Sequence, residues 1–183
     1  LAETLAVSPT PVREAIRRLS AEGALQILDN RRVVTPEMNL ERFDELINLR
    51  VVMECYAAES TVPFISNIQI EKLEAIDQLM DIAIAENNHE TIAAHNVSFH
   101  SALYKINPNQ VVMPLIESIW LQLGPYSRSA LSELSKYYLI DHHQAAIEAL
   151  KARSATDLRS AIESDIVDGL GKLGRRKLMK EFN

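Results

Sequence analysis

The segment from Ser8 to Gly23 constrains the fold most, because it carries the signals of one short helix. Ser8 suits the N-cap, and Pro9 suits the first helical position, where a missing N–H costs no hydrogen bond. Gly23 is a typical stop signal. Apolar residues recur at the i, i+3, i+4 and i+7 spacing of a helix face, at Val12, Ala15, Ile16 and Leu19. The segment is therefore predicted to be a helix with one packed face.

The opposite face of this predicted helix is polar and basic. It carries Thr10, Arg13 and Arg17, with Arg18 beside them and Ser8 at the helix start. In a major groove an arginine can donate two hydrogen bonds to guanine, and a threonine can contact a phosphate or a thymine methyl group. The face therefore suits DNA, although a surface helix with solvated arginines explains the helix pattern equally well.

The flanking residues favour DNA binding. Residues 1–6 resemble the end of another helix, which gives the order helix, turn, helix. Residues 24–28 and 33–35 have strand-like patterns, and the turn between them carries Arg31 and Arg32. A helix-turn-helix followed by a hairpin with a basic tip is the pattern of a winged helix.

Charge and composition limit the other classes of protein. Residues 1–38 hold five arginines and five acidic residues, so the net charge of −6 belongs to the rest of the 183-residue chain. A neutral segment is unusual for DNA binding, but its arginines cluster on the predicted helix and the hairpin tip. The sequence has no apolar run of about 18 residues, so we expect no membrane-spanning helix. It shows no signal peptide, and Cys55 is its single cysteine, so we expect a cytoplasmic protein.

From Leu40 onward the pattern is helical almost throughout. We place a domain boundary in the linker around Pro36, giving domains 1–38 and 39–183. The predicted helices are 40–61, 67–87, 89–106, 109–130, 132–152 and 155–180. The predicted fold class is mainly α: a truncated winged helix-turn-helix followed by an all-α antiparallel bundle of six helices.

Four side chains of the predicted bundle could form a metal site. Asn96 and His100 share one helix face at i, i+4, while His143 and Asp165 lie on apolar faces of two other helices. Such mixed nitrogen and oxygen donors suit Zn²⁺, Ni²⁺, Mn²⁺ or Fe²⁺. A buried histidine that is hydrogen-bonded within the core is the alternative interpretation.

Arg50 is flanked by apolar residues and is predicted to point inward. A buried arginine needs an anion, which here is either an acidic ligand or Glu54 one helical turn away. Both interpretations stay open at this point. Tyr104, Tyr126 and Arg128 are further candidates for lining an effector cavity.

Three stretches of the chain resemble a known family. They are LAETLAVSPTPVREAIRRLSAEG, ILDNRRVVTP and LRVVMECYAA, and the chain resembles the GntR family of bacterial transcription regulators, FCD subfamily, over nearly its whole length. The resemblance implies operator DNA and a small-molecule effector, an organic acid, as partners, and a homodimer. It also implies that the chain begins within the winged helix. Pro9 and Arg32 depart from the family, which usually has arginine and glycine at these places.

The resemblance also implies the ligands of a divalent metal cofactor. Similar domains carry Asp-x-x-x-His and two further histidines, whereas this chain has Asn96 with His100, then His143, then Asp165. The neutral Asn96 is a weaker ligand, and the carboxylate of Asp165 restores one negative charge. The site is therefore weakened, holds a harder metal, or binds the effector without metal.

These inferences predict a repressor whose bundle dimerises and responds to a small carboxylate. A metal-sensing regulator is one alternative, and a metal-dependent enzyme in a helical bundle is another. Against the enzyme, the sequence shows no carboxylate pair and no Glu-x-x-His motif near the histidines. We therefore expect no enzymatic activity.

Overall fold

A computed structural model describes residues 2–131 and 142–181, without the side chains of 127–131, 177, 180 and 181. The first helix, α1, runs from Pro9 to Ala21, as its sequence signals predicted. Ser8 lies at its N-cap position, but the Ser8 hydroxyl makes no capping hydrogen bond. Residues 2–6 form hydrogen-bonded turns, in which Ala6 has a left-handed φ of 53° and the Ala6 and Val7 amides donate to the Glu3 and Ala2 carbonyls, the pattern that closes a helix C-terminus.

The predicted wing is present as a short antiparallel hairpin. Strand β1 is Gln26–Ile27 and strand β2 is Val33–Val34, with Gln26 opposite Val34 and Ile27 opposite Val33. The turn between them is closed by the bond from the Arg31 amide to the Leu28 carbonyl, 2.8 Å long. The side chain of Asn30 accepts a further bond from the Arg32 amide. The hairpin tip therefore holds both of its arginines on a defined turn.

The rest of the described chain is helical. Its helices are α2 at Leu40–Glu59, α3 at Asn67–Ala85, α4 at His89–Tyr104, α5 at Met113–Leu131, α6 at His142–Lys151, α7 at Ala155–Ile166 and α8 at Lys172–Glu181. Helix α7 packs against α2 and α6, α3 packs against α4, and α5 lies against α2, α4 and α8. Short connections between neighbouring helices give the antiparallel bundle that the sequence predicted.

Local side-chain chemistry places several helix boundaries. Asn39 caps α2 and Ser66 caps α3 with a reciprocal capping box involving Gln69. The fourth bundle helix begins at Met113 and not at 109, because Asn107 accepts the Asn109 amide and forms a turn. The first half of the predicted helix 132–152 lies outside the described residues.

The last predicted helix, 155–180, is two helices. Residues Val167–Gly171 form a π turn between α7 and α8, and Gly169 has a non-helical ψ of −109°. Glycine has low helix propensity, and the stretch from 169 to 174 contains three glycines. The π turn begins two residues after Asp165 and ends α7 beside the bundle centre.

The core lies inside the bundle. Fully buried side chains from most of the helices meet there, among them Phe43, Phe99, Leu103, Ile147 and Ile162. By contrast, α1 has no buried residue. No helix in the described part of the chain is long and apolar enough to span a lipid bilayer.

Candidate metal and effector centre

Three of the predicted ligands meet in the middle of the bundle. His100 on α4, His143 on α6 and Asp165 on α7 are all buried, and their donor atoms lie within 4.8 Å of one another. His100 Nε2 is 3.0 Å from Asp165 Oδ2, and His143 Nε2 is 3.8 Å from Asp165 Oδ1. The structure therefore brings residues from three helices to one point, although the chain separates them by as many as 65 positions.

Asn96, the fourth predicted ligand, borders the same point. Its Nδ2 lies 3.4 Å from His143 Nε2. A half-turn of the terminal amide would exchange this donor for the carbonyl oxygen, which is the atom that can ligate a cation. His142, next in the chain to His143, faces elsewhere and contacts Asp168 at 3.1 Å. The register therefore selects His143 over His142.

The rings at the centre are fixed by stacking. His143 stacks on Phe99 with ring centroids 4.0 Å apart and an interplanar angle of 11°. His100 meets His143 edge to face, with centroids 5.2 Å apart. Because Phe99 is fully buried, the orientation of the His143 ring is set by the core.

Each imidazole is also held from behind by a hydrogen bond on its Nδ1. His143 Nδ1 lies 3.0 Å from a carboxylate oxygen of Asp77 on α3, which can only accept from it when ionised. His100 Nδ1 lies 3.0 Å from the Tyr104 hydroxyl, and that hydroxyl donates to Glu54 Oε2 at 3.0 Å. The Tyr104 oxygen therefore accepts from His100. Both rings are therefore held through Nδ1 and direct Nε2 toward Asp165.

Glu54 anchors this second layer of contacts. The carboxylate is fully buried on α2 and accepts from Arg50 Nε at 2.6 Å and from Trp120 Nε1 at 2.9 Å, in addition to Tyr104. Burial would lower the pKa of Arg50, but the adjacent Glu54 raises it above its ordinary value. Burial, with the nearby Glu54 charge, raises the pKa of Tyr104 well above its ordinary value, so the hydroxyl remains a donor.

The electrostatics keep Asp165 ionised. Burial alone would raise the pKa of its carboxyl group, but the hydrogen bond from His100 and the charge of His143 hold that pKa below its ordinary value. Asp165 therefore supplies an anionic oxygen between two imidazole nitrogens. This is a donor set that fits a divalent cation such as Zn²⁺, with mixed nitrogen and oxygen ligands.

The predicted effector residues occupy different surroundings. Arg50 is paired with Glu54, the ion-pair interpretation of the sequence, and Tyr104 lies between Glu54 and His100. Tyr126 is half-buried against the core. The side chain of Arg128 lies outside the described residues. Effector contacts by these four residues stay predictions.

Sequence reasoning missed Asp77 and Trp120. Asp77 is an acidic residue on the apolar face of α3 that also carries Ile70, Leu73 and Met80. A carboxylate on such a face is a signal for a buried partner, and here the partner is His143. Trp120 gave no comparable signal, since an aromatic residue on an apolar helix face is usually core.

The predicted DNA-contacting side chains lie outside the bundle, on α1 and the wing. Ser8, Thr10, Arg13, Arg17, Arg18, Arg31 and Arg32 are all exposed. Arg18 is engaged by Glu22 at 3.0 Å. On α1 the predicted packed face is half-buried at Val12, Ile16 and Leu19, while Ala15 is exposed.

Two family models match the chain. The FCD domain model matches residues 45–168, and the model described as bacterial regulatory proteins, gntR family, matches residues 1–34. The first match covers the part of the bundle that contains the His–Asp centre, and the second covers α1 and the wing.

Curated relatives and solved structures agree with these matches. The chain is 27% identical over 165 residues to the HTH-type transcriptional regulator McbR of Escherichia coli K12, covering 88% of the chain and 75% of McbR. It is 23% identical over 184 residues to the gluconate operon transcriptional repressor of Bacillus licheniformis, covering 94% and 73%. The structure of E. coli McbR/YncC superposes with a TM-score of 0.82 at 24% identity, covering 100% of this chain and 85% of that one.

Proposed function

Because the chain belongs to the GntR family of DNA-binding transcription regulators and carries an FCD effector domain, we propose that it is a repressor released by a small acidic effector. Residues 1–38 form the DNA-binding domain in this proposal, and residues 39–183 form the effector-binding and dimerisation domain. The protein is a regulator and not an enzyme, since the proteins that it matches are transcription regulators. The observation that carries the proposal is the buried centre of His100, His143 and Asp165.

The DNA-binding part of the proposal depends on exposed cations. Arg13 and Arg17 lie on the solvent face of α1, and Arg31 and Arg32 lie at the wing tip. These side chains can contact phosphates or base edges because no burial restrains them. A homodimer would place two such surfaces on half-sites about one DNA turn apart.

The effector part depends on charge balance at the bundle centre. Among the described buried side chains, the carboxylates of Glu54, Asp77 and Asp165 are accompanied by the guanidinium of Arg50 and the imidazoles of His100 and His143. A divalent cation on His100, His143 and Asp165 would supply the positive charge that protonated imidazoles otherwise have to supply. Asn96 is the candidate for a fourth ligand. Zn²⁺, Ni²⁺, Mn²⁺ and Fe²⁺ all fit this donor set.

A bound cation would supply positive charge and open coordination positions to a carboxylate. Arg50 already donates to Glu54, so the cation is the stronger anchor for such an effector. Two relatives are repressors of a gluconate operon, which supports both repression and an acidic effector. We further propose a cytoplasmic location, as for an operator-binding regulator.

Calorimetric titration with Zn²⁺, Ni²⁺ and Mn²⁺ tests the centre. We expect His143→Ala to lose cation binding, because it removes one of three ligands. His142→Ala is the matched control, since this buried histidine is the next residue but contacts Asp168. Equal cation binding by both variants and the wild type would refute the metal site.

Gel-shift titration on the native promoter then tests regulation. We expect the cation together with an organic acid to release DNA, and His143→Ala to remain bound. Release by the cation alone would instead identify a metal sensor.

Light scattering tests the proposed homodimer. It should give twice the mass of the 183-residue chain, and a monomer mass would contradict the dimer.

A further inference from the structure

Helix α5 lies between the bundle centre and the end of α1. On one side, Trp120 Nε1 donates to Glu54 Oε1 at 2.9 Å. Glu54 in turn accepts from Tyr104, and the Tyr104 oxygen contacts His100. A continuous series of hydrogen bonds therefore connects the centre to the single tryptophan of the chain.

The other side of α5 contacts the turn that ends α1. Ser118 Oγ donates to the backbone carbonyl of Glu22 at 3.1 Å, and Glu22 is the C-cap of α1. Ser118 and Gln122 are one helical turn apart and share a face, whereas Trp120 lies about 200° around the helix from each of them. Each of these faces therefore contacts a different part of the molecule.

Gln122 adds a second contact between α5 and the turn that ends α1. A Cβ atom on Gly23 would lie 3.2 Å from Gln122 Cδ, so the glutamine side chain packs directly on the glycine. Gly23 has a φ of +73°, which fixes the turn after α1 in a left-handed conformation. Arg42 Nη2, in the first turn of α2, donates to Gln122 Oε1 at 2.9 Å and holds the amide in place.

We propose that α5 transmits the state of the bundle centre to α1, with Trp120 as the positioning residue on one side and Ser118 and Gln122 on the other. This proposal rests on the proposed function only in treating the centre as the effector site. A change in the position of Tyr104 alters how Glu54 accepts from Trp120. Since α5 is a rigid helix, the displacement reaches Ser118 and Gln122 and changes how firmly the end of α1 is held.

Amide hydrogen exchange of the intact chain tests this transmission without operator DNA. The amides of Glu22, Gly23, Ala24 and Leu25 all donate to carbonyls of α1, so their exchange reports how firmly this turn is held. Trp120→Phe removes the bond to Glu54 and should speed their exchange about fivefold, the effect of one net hydrogen bond. Glu117→Gln is the control, since this exposed residue of α5 pairs with Lys105 and contacts neither side of the route.

A variant that lacks the α5 contacts to the end of α1 tests whether the effect of Trp120 passes through those contacts. In the double variant Ser118→Ala with Gln122→Ala, we expect the added Trp120→Phe change to leave exchange at 22–25 unaltered. Unchanged exchange on Trp120→Phe in the wild-type background would overturn the proposal, and so would the same acceleration in both backgrounds. If Trp120→Phe does not fold by circular dichroism, Tyr104→Phe removes one hydroxyl of the same series and is judged by the same outcomes.

A second set of exchange measurements uses Zn²⁺ alone as the ligand of the bundle centre. Calorimetry measures whether Zn²⁺ binds, and Trp120 fluorescence reports whether binding reaches the far side of Glu54. Zn²⁺ should change exchange at 22–25 in the wild type and not in the Ser118→Ala, Gln122→Ala variant, which still binds it. Equal exchange changes in both would refute the route. If Zn²⁺ does not bind, zinc is excluded as the metal of the centre, while the Trp120→Phe comparison still decides the transmission.

Discussion

Two arginine–glutamate pairs share the same i, i+4 spacing but lie in opposite surroundings. Arg50 Nε and Glu54 Oε1 are 2.6 Å apart, with side chains 10% and 0% exposed. Arg18 Nε and Glu22 Oε1 are 3.0 Å apart, with side chains 82% and 26% exposed. The buried pair has acquired Tyr104 and Trp120 as additional donors. Burial, and not spacing, therefore determines which further contacts such a pair makes.

The largest expected effect comes from breaking the buried pair. Glu54→Ala leaves the Arg50 guanidinium buried without its anion and removes the acceptor of two further donors. We expect the free energy of unfolding to fall by about 3–5 kcal/mol. Urea denaturation of the intact chain, followed by far-ultraviolet circular dichroism, measures it.

Glu59→Ala is the matched control for this change. Glu59 also accepts from an arginine, Arg159, at 2.8 Å, but its side chain is 34% exposed and that of Arg159 is 44% exposed. Its removal should cost about 0–1 kcal/mol. Similar losses for Glu54→Ala and Glu59→Ala would show that the buried network has no special value.

The next prediction concerns the packing of α8 on α2. A Cβ atom on Gly174 of α8 would lie 2.5 Å from Cζ of Phe43, a fully buried ring. Because this ring has no free space, Gly174→Ala should destabilise the chain by about 1–3 kcal/mol in thermal or urea unfolding.

Gly124→Ala provides the opposite case. A Cβ there meets no atom within 4 Å beyond its chain neighbours and its own helix backbone, so no packed ring has to move. The following Pro125 disfavours helical backbone for a residue with a Cβ, which offsets the gain from restricting the unfolded chain, and we expect a net change below about 1 kcal/mol. A loss for Gly124→Ala as large as that for Gly174→Ala, or no loss for Gly174→Ala, would contradict the observed packing of α5 and α8.

Much of this organisation could be predicted from the sequence, for local reasons. The capping and apolar patterns of α1 and the strand patterns around residues 29–32 are short-range signals, and the structure has both elements. His100 and Asn96 share a face by helical spacing alone. His143 and Asp165 lie among apolar residues at helical spacing, and such apolar faces must point inward.

The rest depended on tertiary structure. That Asp77 supports His143, and that Trp120 donates to Glu54, follows from how α3 and α5 pack, which no local pattern encodes. The ion pair of Arg50 was one of two interpretations, because spacing offers Glu54 but does not exclude a ligand. The interruption at Val167–Gly171 was missed since the apolar pattern continues across it.

For the exposed face of α1, the quantity that tests its role is the affinity for operator DNA and not the free energy of unfolding. Arg13→Ala on the outer face of α1 should weaken specific binding by about 1–3 kcal/mol in gel-shift titration on the native promoter. It should leave unfolding unchanged, because the residue is exposed and α1 contains no buried residue. Arg159→Ala, an exposed arginine of the bundle, is the control and should bind DNA as the wild type does. Equal affinity of Arg13→Ala and wild type would remove Arg13 from the DNA-binding surface.

The smallest expected effect is that of Glu22→Ala, the counterpart of Glu54→Ala in the exposed pair. The Arg18 side chain is 82% exposed and becomes fully hydrated when its partner is removed, so no buried charge is left behind. The carbonyl of residue 22 still accepts from Ser118, because the substitution changes only the side chain. We expect a loss of about 0.2–1 kcal/mol in urea unfolding at low salt. Because salt screens exposed charges, the loss should shrink further at about 1 M NaCl, whereas the loss for Glu54→Ala should persist. A salt-independent loss of several kcal/mol for Glu22→Ala would mean that the two pairs are equivalent after all.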